Sequence, residues 1–485
     1  MKKFPECMLW GGASADFQYE GGFNEGGRGL LTCDFVTDGS RDKPRMLTYI
    51  MPDGTTGAVP HRESLPKGAK GYILDNQYYP SHQAVDFYHH YKEDIELYAK
   101  MGMTTMRFSI CWTRIFPNGD EATPNKEGLD FYESVVDECL KYGIEPLITI
   151  CHDEIPAYLA DKYEGWTNRI LIDCYLNLCK ALFERLKGKV KYWLTFNEIN
   201  ILVGYSSIGS TKADRQTTLQ AIHHMFVASA KAVKMAHEMM PGCMVGAMYA
   251  SSPCYPATCK PEDVFAWMSA RRRLFYYSDV MMRGYYPSFA HQQWAADNVN
   301  LVFEEDDERI LREGTLDFYS FSHYRSSIVA SDTVLGDNGM SMQQNPYLEA
   351  TPWGWCIDPL SIRYLLNEIY DRYQKPVFIV ENGLGDIDEI DENNFVDDQK
   401  RISYLKRHFR EIRNAVEIDK VPVLGYTMWG AIDLVSLSTG EMAKRYGFIY
   451  VDMDDKGNGT KNRYPKASYY WMKEFLETKG ANLDD

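Results

Sequence analysis

Residues 191–198 read Lys-Tyr-Trp-Leu-Thr-Phe-Asn-Glu, and residues 376–383 read Pro-Val-Phe-Ile-Val-Glu-Asn-Gly. Each is an apolar run, rich in aromatic and β-branched residues, that stops abruptly on a carboxylate: Glu198 in the first, Glu381 in the second. Continuous apolar runs of this length are strands buried on both faces, as parallel sheets require. Two strands that each deliver a glutamate at their C-terminal end bring a pair of carboxylates to one face of such a sheet. A pair of carboxylates is what glycoside hydrolysis needs.

Six further runs share the pattern, at 8–14, 104–110, 145–151, 244–250, 317–324 and 423–429. Amphipathic, helix-like stretches separate them at 86–100, 129–142, 169–187, 217–239, 358–373 and 397–416. Eight apolar strands alternating with helices predict an α/β fold, a (β/α)8 TIM barrel with long βα loops, formed as a single domain by residues 1–485. A doubly wound open sheet is the alternative, but no Gly-x-Gly-x-x-Gly follows any strand. Three stretches break the rhythm, at 35–79, 251–261 and 334–352. They fall where barrel loops build a functional face and read as loops rather than linkers.

A formal charge of −16 argues against nucleic acid or an anionic membrane as partner. It leaves room for an anionic small molecule in a local cationic pocket. No apolar run reaches the 18 residues of a membrane span, and residues 1–7 lack the apolar core of a signal peptide. The 11 cysteines are odd in number, form no C-x-x-C pair and mostly lie in apolar surroundings. They read as reduced, buried thiols of a cytoplasmic protein. No clustered His, Cys or Asp ligand set is visible, so neither a metal nor an organic cofactor is expected. Oligomeric state is left open, a homo-oligomer included.

In a parallel barrel, residues at the C-terminal strand ends share one basin. Here those residues are Gln18 just past the first strand, Arg107 within the second, His152 after the third, Asn197 and Glu198, Tyr324, Glu381 and Trp429. A glycosidase needs one carboxyl that stays protonated near neutral pH and one carboxylate that attacks or activates water. Arg107 and Tyr324 are suited to hold Glu381 ionised and aimed, while Glu198, without a cation, titrates higher. Asn197 is suited to donate to a sugar hydroxyl.

With these residues in view the chain resembles glycoside hydrolase family 1, the retaining β-glycosidases, over essentially its whole length. The resemblance rests on Phe4-Pro5 with Trp10-Gly11-Gly12-Ala13-Ser14, and on Gln18-Tyr19-Glu20-Gly21. It continues in Arg107-Phe108-Ser109-Ile110 with Trp112, Arg114 and Pro117, in Thr195-Phe196-Asn197-Glu198, and in Val380-Glu381-Asn382-Gly383. It implies Glu198 as acid/base, Glu381 as nucleophile and a double displacement with retention, the carboxyl groups about 5 Å apart. It also implies that Gln18, His152, Asn197 and Trp429 hold the sugar.

The family's β-glucosidases carry Trp-Ser-Leu-Leu-Asp-Asn-Phe-Glu-Trp after the eighth strand, the glutamate gripping the sugar's 4- and 6-hydroxyls. This chain has Trp429-Gly430-Ala431-Ile432-Asp433-Leu434-Val435-Ser436-Leu437, with Ser438, Lys444 and Tyr446 following. An anion has become a hydroxyl, and a lysine and a tyrosine have been added. Those donors suit a phosphate, which a glutamate would repel. The run resembles the phosphate loop of 6-phospho-β-glycosidases and implies a phosphorylated β-glucoside as the small-molecule substrate. Leu437 stands where galacto-type members have a tryptophan; it cannot donate to an axial hydroxyl, which favours the gluco epimer.

Some residues depart from the family pattern. His152 is followed by Asp153 rather than an aromatic, and the family's Asn-Tyr-Tyr is Ser322-His323-Tyr324. His323 is read as an exposed residue without a role. Trp353 and Trp355 are candidates for an aglycone platform, one of them equally suited to core packing. The expected activity is release of glucose 6-phosphate from 6-phospho-β-glucosides. The alternatives are a 6-phospho-β-galactosidase or dual-specificity enzyme, and a catalytically silent sugar-phosphate-binding protein.

Overall fold

The computed structural model describes residues 3–336 and 339–484; residues 1 and 2 of the N-terminal segment, 337 and 338 of the 334–352 stretch, and 485 lie outside the described residues. The eight apolar runs are the eight barrel strands. They are β1 Leu9–Ala13, β2 Thr105–Ser109, β3 Glu145–Cys151, β4 Tyr192–Phe196, β5 Met244–Ala250, β6 Phe318–Ser322, β7 Val377–Asn382 and β8 Val423–Trp429. Each pairs in parallel with its sequence neighbours, and β1 closes the ring on β8, Leu9 opposite Gly425 and Ala13 opposite Trp429. The chain passes close to itself at the seam. A Cβ on Gly11 would stand 1.9 Å from the carbonyl oxygen of Thr105, so only glycine fits.

Side chains on the inner face fill the barrel. Leu147, Tyr192, Leu194, Met248, Phe318, Phe378 and Val380 form a closed apolar cluster, so the interior is a packed core and chemistry is confined to the strand ends. Outer side chains pack under helices Phe87–Met101, Lys126–Lys141, Ile170–Leu186, Arg215–Met239, Pro359–Tyr373 and Gln399–Glu417, the six amphipathic stretches of the sequence. Three of them start on side-chain caps: Asn125 accepts from Glu127 N–H, Asp214 from Thr217 N–H and Asp358 from Ser361 N–H.

The structure corrects the sequence reading in three places. The 35–79 stretch is built around a three-stranded antiparallel sheet of Met46–Ile50, Thr56–Pro60 and Lys70–Gly71. Between β5 and β6 the spacing predicts no helix, yet Pro261–Arg283, Ser288–Ala296 and Asp307–Glu313 are helical. The first of these carries its own boundary signals: proline in the first turn, Glu262 and Asp263 beside it, and Gly284 in the left-handed conformation at its end. Its apolar residues wander around the axis, so the periodicity is weak. His323 is buried, its ring held between the Ser251 carbonyl oxygen at 3.0 Å and Ser361 Oγ at 2.8 Å. It pins the end of β6 to helix Pro359–Tyr373.

Candidate active site

A cavity of about 620 Å³ opens at the C-terminal end of the barrel. Gln18, His152, Asn197, Glu198, Tyr324, Glu381 and Trp429 all line it, together with Trp355, Leu437, Ser438 and Tyr446. Eleven of the fourteen residues singled out in the sequence therefore share one basin. Arg107, Ser436 and Lys444 stand behind its wall.

Arg107 is fully buried and ties three strands together. Its Nε donates to Thr149 Oγ1 of β3 at 3.0 Å, Nη2 to Asn197 Oδ1 at 2.6 Å and Nη1 to Glu381 Oε1 at 2.5 Å. Tyr324 OH donates to the other oxygen of Glu381 at 2.9 Å. Both Glu381 oxygens are thus occupied by donors, which fixes the carboxylate plane. Burial raises the Glu381 pKa above the ordinary carboxylate range, and the Arg107 guanidinium and the Tyr324 hydroxyl oppose that rise. Strand register shifts on both sides of Glu381, at Phe321/Ser322 against β6 and at Ile379/Asn382 against β8. Such bulges re-aim a side chain out of the regular alternation.

Glu198 has a different environment. It carries φ +35°, a left-handed conformation that costs a residue with a side chain about 1–2 kcal/mol. Asn197 N–H donates to the Cys151 carbonyl oxygen and Ile201 N–H to that of Glu198, which holds the turn at 3.1 and 2.9 Å. One carboxylate oxygen accepts from Ser322 Oγ at 2.5 Å. Burial, the charge of Glu381 and the charge of Asp153 push Glu198 up to about 8, with Ser322 and Arg62 opposing. One carboxyl therefore stays protonated at neutral pH while the other is paired with a guanidinium, the division of labour that acid and nucleophile require.

Asp153 does more than remove an aromatic wall. It accepts from Asn197 Nδ2 at 3.0 Å, completing a chain from Glu381 through Arg107 and Asn197. Burial raises it to about 7. Gln18 Nε2 donates to the Val435 carbonyl oxygen at 2.6 Å, while Gln18 Oε1 and His152 Nδ1 are buried without a partner among the described residues. Polar atoms stranded in this way at a cavity wall are positioned for ligand hydroxyls.

In the loop after β8, Ser438 faces the cavity while Ser436 is fully buried, the two hydroxyls 3.3 Å apart. Lys444 is buried with its Nζ 3.8 Å from the Trp355 ring centroid and 5.1 Å from that of Trp353. Burial lowers it to about 8. Its stem needs the glycine that follows β7, since a Cβ on Gly385 would lie 2.8 Å from Lys444 Cε. The neighbouring residues form an antiparallel bridge: Asp386 N–H donates to the Arg445 carbonyl oxygen and Arg445 N–H to that of Asp386, at 2.9 and 2.8 Å.

His61, Arg62, Ile201, Ser322, Arg325, Val334, Met340 and Met342 also line the cavity and were outside the sequence-derived set. His61 and Arg62 reach it from the 35–79 stretch, which Arg45 fastens to the loop after β8 by donating from Nη1 to the Leu437 carbonyl oxygen at 2.9 Å. Ser322 stood out in the sequence as a departure from the family pattern. Nothing local to Arg62 or Met342 marks them.

A closed parallel barrel with two carboxyls in opposed environments at one mouth is the arrangement of a glycoside hydrolase. The model of glycosyl hydrolase family 1 matches residues 70–481, and the chain belongs to that family. It is 44% identical to the aryl-phospho-beta-D-glucosidase BglA of Bacillus subtilis and 45% identical to the 6-phospho-beta-glucosidase AscB of Escherichia coli, each over 100% of both chains. Among solved structures it is similar to the family 1 b-glucosidase from Thermotoga maritima, with a TM-score of 0.80 at 29% identity over 99% of this chain and 98% of that one.

Proposed function

We propose that the chain hydrolyses 6-phospho-β-D-glucosides to glucose 6-phosphate and an aglycone, with Glu381 as nucleophile and Glu198 as acid/base. The observation that carries the catalytic half is the contrast between Glu198, raised to about 8, and Glu381, paired with Arg107 at 2.5 Å. In the first step Glu198 gives its proton to the glycosidic oxygen, that oxygen leaves with the bonding pair, and Glu381 bonds to the anomeric carbon. In the second, water attacks the same carbon, Glu198 takes its proton, and Glu381 departs as carboxylate. Configuration is retained because the carbon is inverted twice.

The phosphate half is supported by Ser436 in place of a glutamate, by Ser438 and Tyr446 at the cavity wall and Lys444 behind it, and by the activities named for the relatives. Leu437 at that wall favours the gluco epimer over the galacto. The eleven cysteines are free thiols, which supports assignment to the cytoplasm. No helix among the described residues is long and apolar enough to cross a membrane.

The test compares 4-nitrophenyl β-D-glucoside with its 6-phosphate and with the 6-phosphogalactoside. Preference for the phosphorylated glucoside is expected, with Lys444→Ala eroding it and Glu381→Gln abolishing turnover of all three. Equal turnover of the unphosphorylated sugar sinks the phosphate reading.

A further inference from the structure

Arg325 follows Tyr324 on the loop leaving β6 and lines the same cavity as Ser438 and Tyr446. Its guanidinium is partly buried, and no carboxylate pairs with it among the described residues. Among the described residues its guanidinium donates from Nη2 to the Met342 sulfur at 2.9 Å, a weak acceptor. Lys444 is in the same condition, covered by Trp355, Trp353 and Tyr446 rings and joined to no carboxylate by an ion pair among the described residues. Burial lowers both, and the charge of Arg325 further depresses Lys444, while Glu441 acts in the opposite sense.

A buried lysine and a partly buried arginine that no carboxylate pairs with among the described residues cost stability, which the negative charge of a ligand would relieve. A sugar 6-phosphate carries close to two negative charges at neutral pH. We propose that Arg325 is a second phosphate-binding residue, sharing the 6-phosphate with Lys444 and setting the preference for phosphorylated sugars. Lys444, Ser438 and Tyr446 approach the group from the loop after β8, and Arg325 approaches from the loop after β6. The inference rests on the phosphate reading above and adds a residue to it.

The experiment measures wild type, Arg325→Gln and Arg325→Lys on 4-nitrophenyl β-D-glucoside, on its 6-phosphate, and on 4-carboxyphenyl 6-phospho-β-D-glucoside. Arg325→Gln is expected to raise KM for both phosphorylated substrates about tenfold, the scale of one charge-assisted hydrogen bond, and to cut the phosphorylated-to-unphosphorylated ratio of kcat/KM by the same factor. Arg325→Lys, which keeps the charge, is expected to restore most of the ratio, and glucose 6-phosphate inhibition is expected to weaken in parallel in the Gln variant. A ratio unchanged in Arg325→Gln overturns the proposal. So does a loss confined to the carboxyphenyl substrate, which makes Arg325 an aglycone residue. Absence of any phosphate preference in the wild type fails the underlying reading instead, and is told apart because it appears before any substitution.

Discussion

Removal of the Ser322 hydroxyl tests how the acid is tuned. Ser322 Oγ donates to Glu198 Oε1 at 2.5 Å, and a donor stabilises the ionised carboxylate over the acid. Ser322→Ala therefore raises the Glu198 pKa. A hydrogen bond to a charged group is worth about 1.5–3 kcal/mol, and one pKa unit is about 1.4 kcal/mol, which gives a rise of about one to two units. Because Glu198 faces an open cavity, water replaces part of the lost bond and the lower end, about one unit, is expected. Glu198 must be protonated in the first step, so activity lost as pH rises through its pKa should persist about one unit further into alkali. The assay is kcat against pH for phenyl 6-phospho-β-D-glucoside, a poor leaving group that needs the acid. At saturation the bound phosphate keeps Lys444 protonated, so the limb reports Glu198. An unmoved limb, or one that moves down, refutes the assignment of Ser322 as the donor that restrains Glu198.

Asp153→Asn keeps an acceptor for Asn197 and removes a charge that pushes Glu198 up, so the same limb is expected to move down from its wild-type position. Gly385→Ala drives a methyl group against Lys444 Cε; KM for the phosphorylated substrate is expected to rise several-fold, read by the same kinetics, with little change for the unphosphorylated sugar.

The barrel was legible because its strands are buried on both faces, and an apolar run such as 145–151 carries its boundaries in its composition. The catalytic pair was legible for the same reason, since Glu198 and Glu381 are the polar residues that end such runs. The helix Pro261–Arg283 was not, because it packs its large side chains around more than one face and leaves Phe265 exposed. The outer wall of the site was the least legible part. Arg62 lines the same cavity as Glu198 from more than a hundred residues away in the chain, by way of a small antiparallel sheet whose register no local pattern announces. Asp153 and Ser322 were visible only as departures from a pattern; their joint action on one carboxyl needed geometry. The sequence expected Arg107 to hold Glu381 down, and the guanidinium does act in that sense, but burial outweighs it.

The backbone bridge between Asp386 and Arg445 joins two things that substrate discrimination and bond cleavage would otherwise keep apart. Asp386 lies on the segment leaving β7, the strand of Glu381, and Arg445 adjoins the lysine proposed to hold the phosphate. A phosphate bound at Lys444 would load two peptide hydrogen bonds that lead to the segment following the strand of Glu381. Binding energy from a part of the substrate that never reacts would then have a short route to the reacting carbon. A sugar lacking the phosphate would forfeit that load as well as its anchorage, and its handicap should fall on turnover and not on affinity alone.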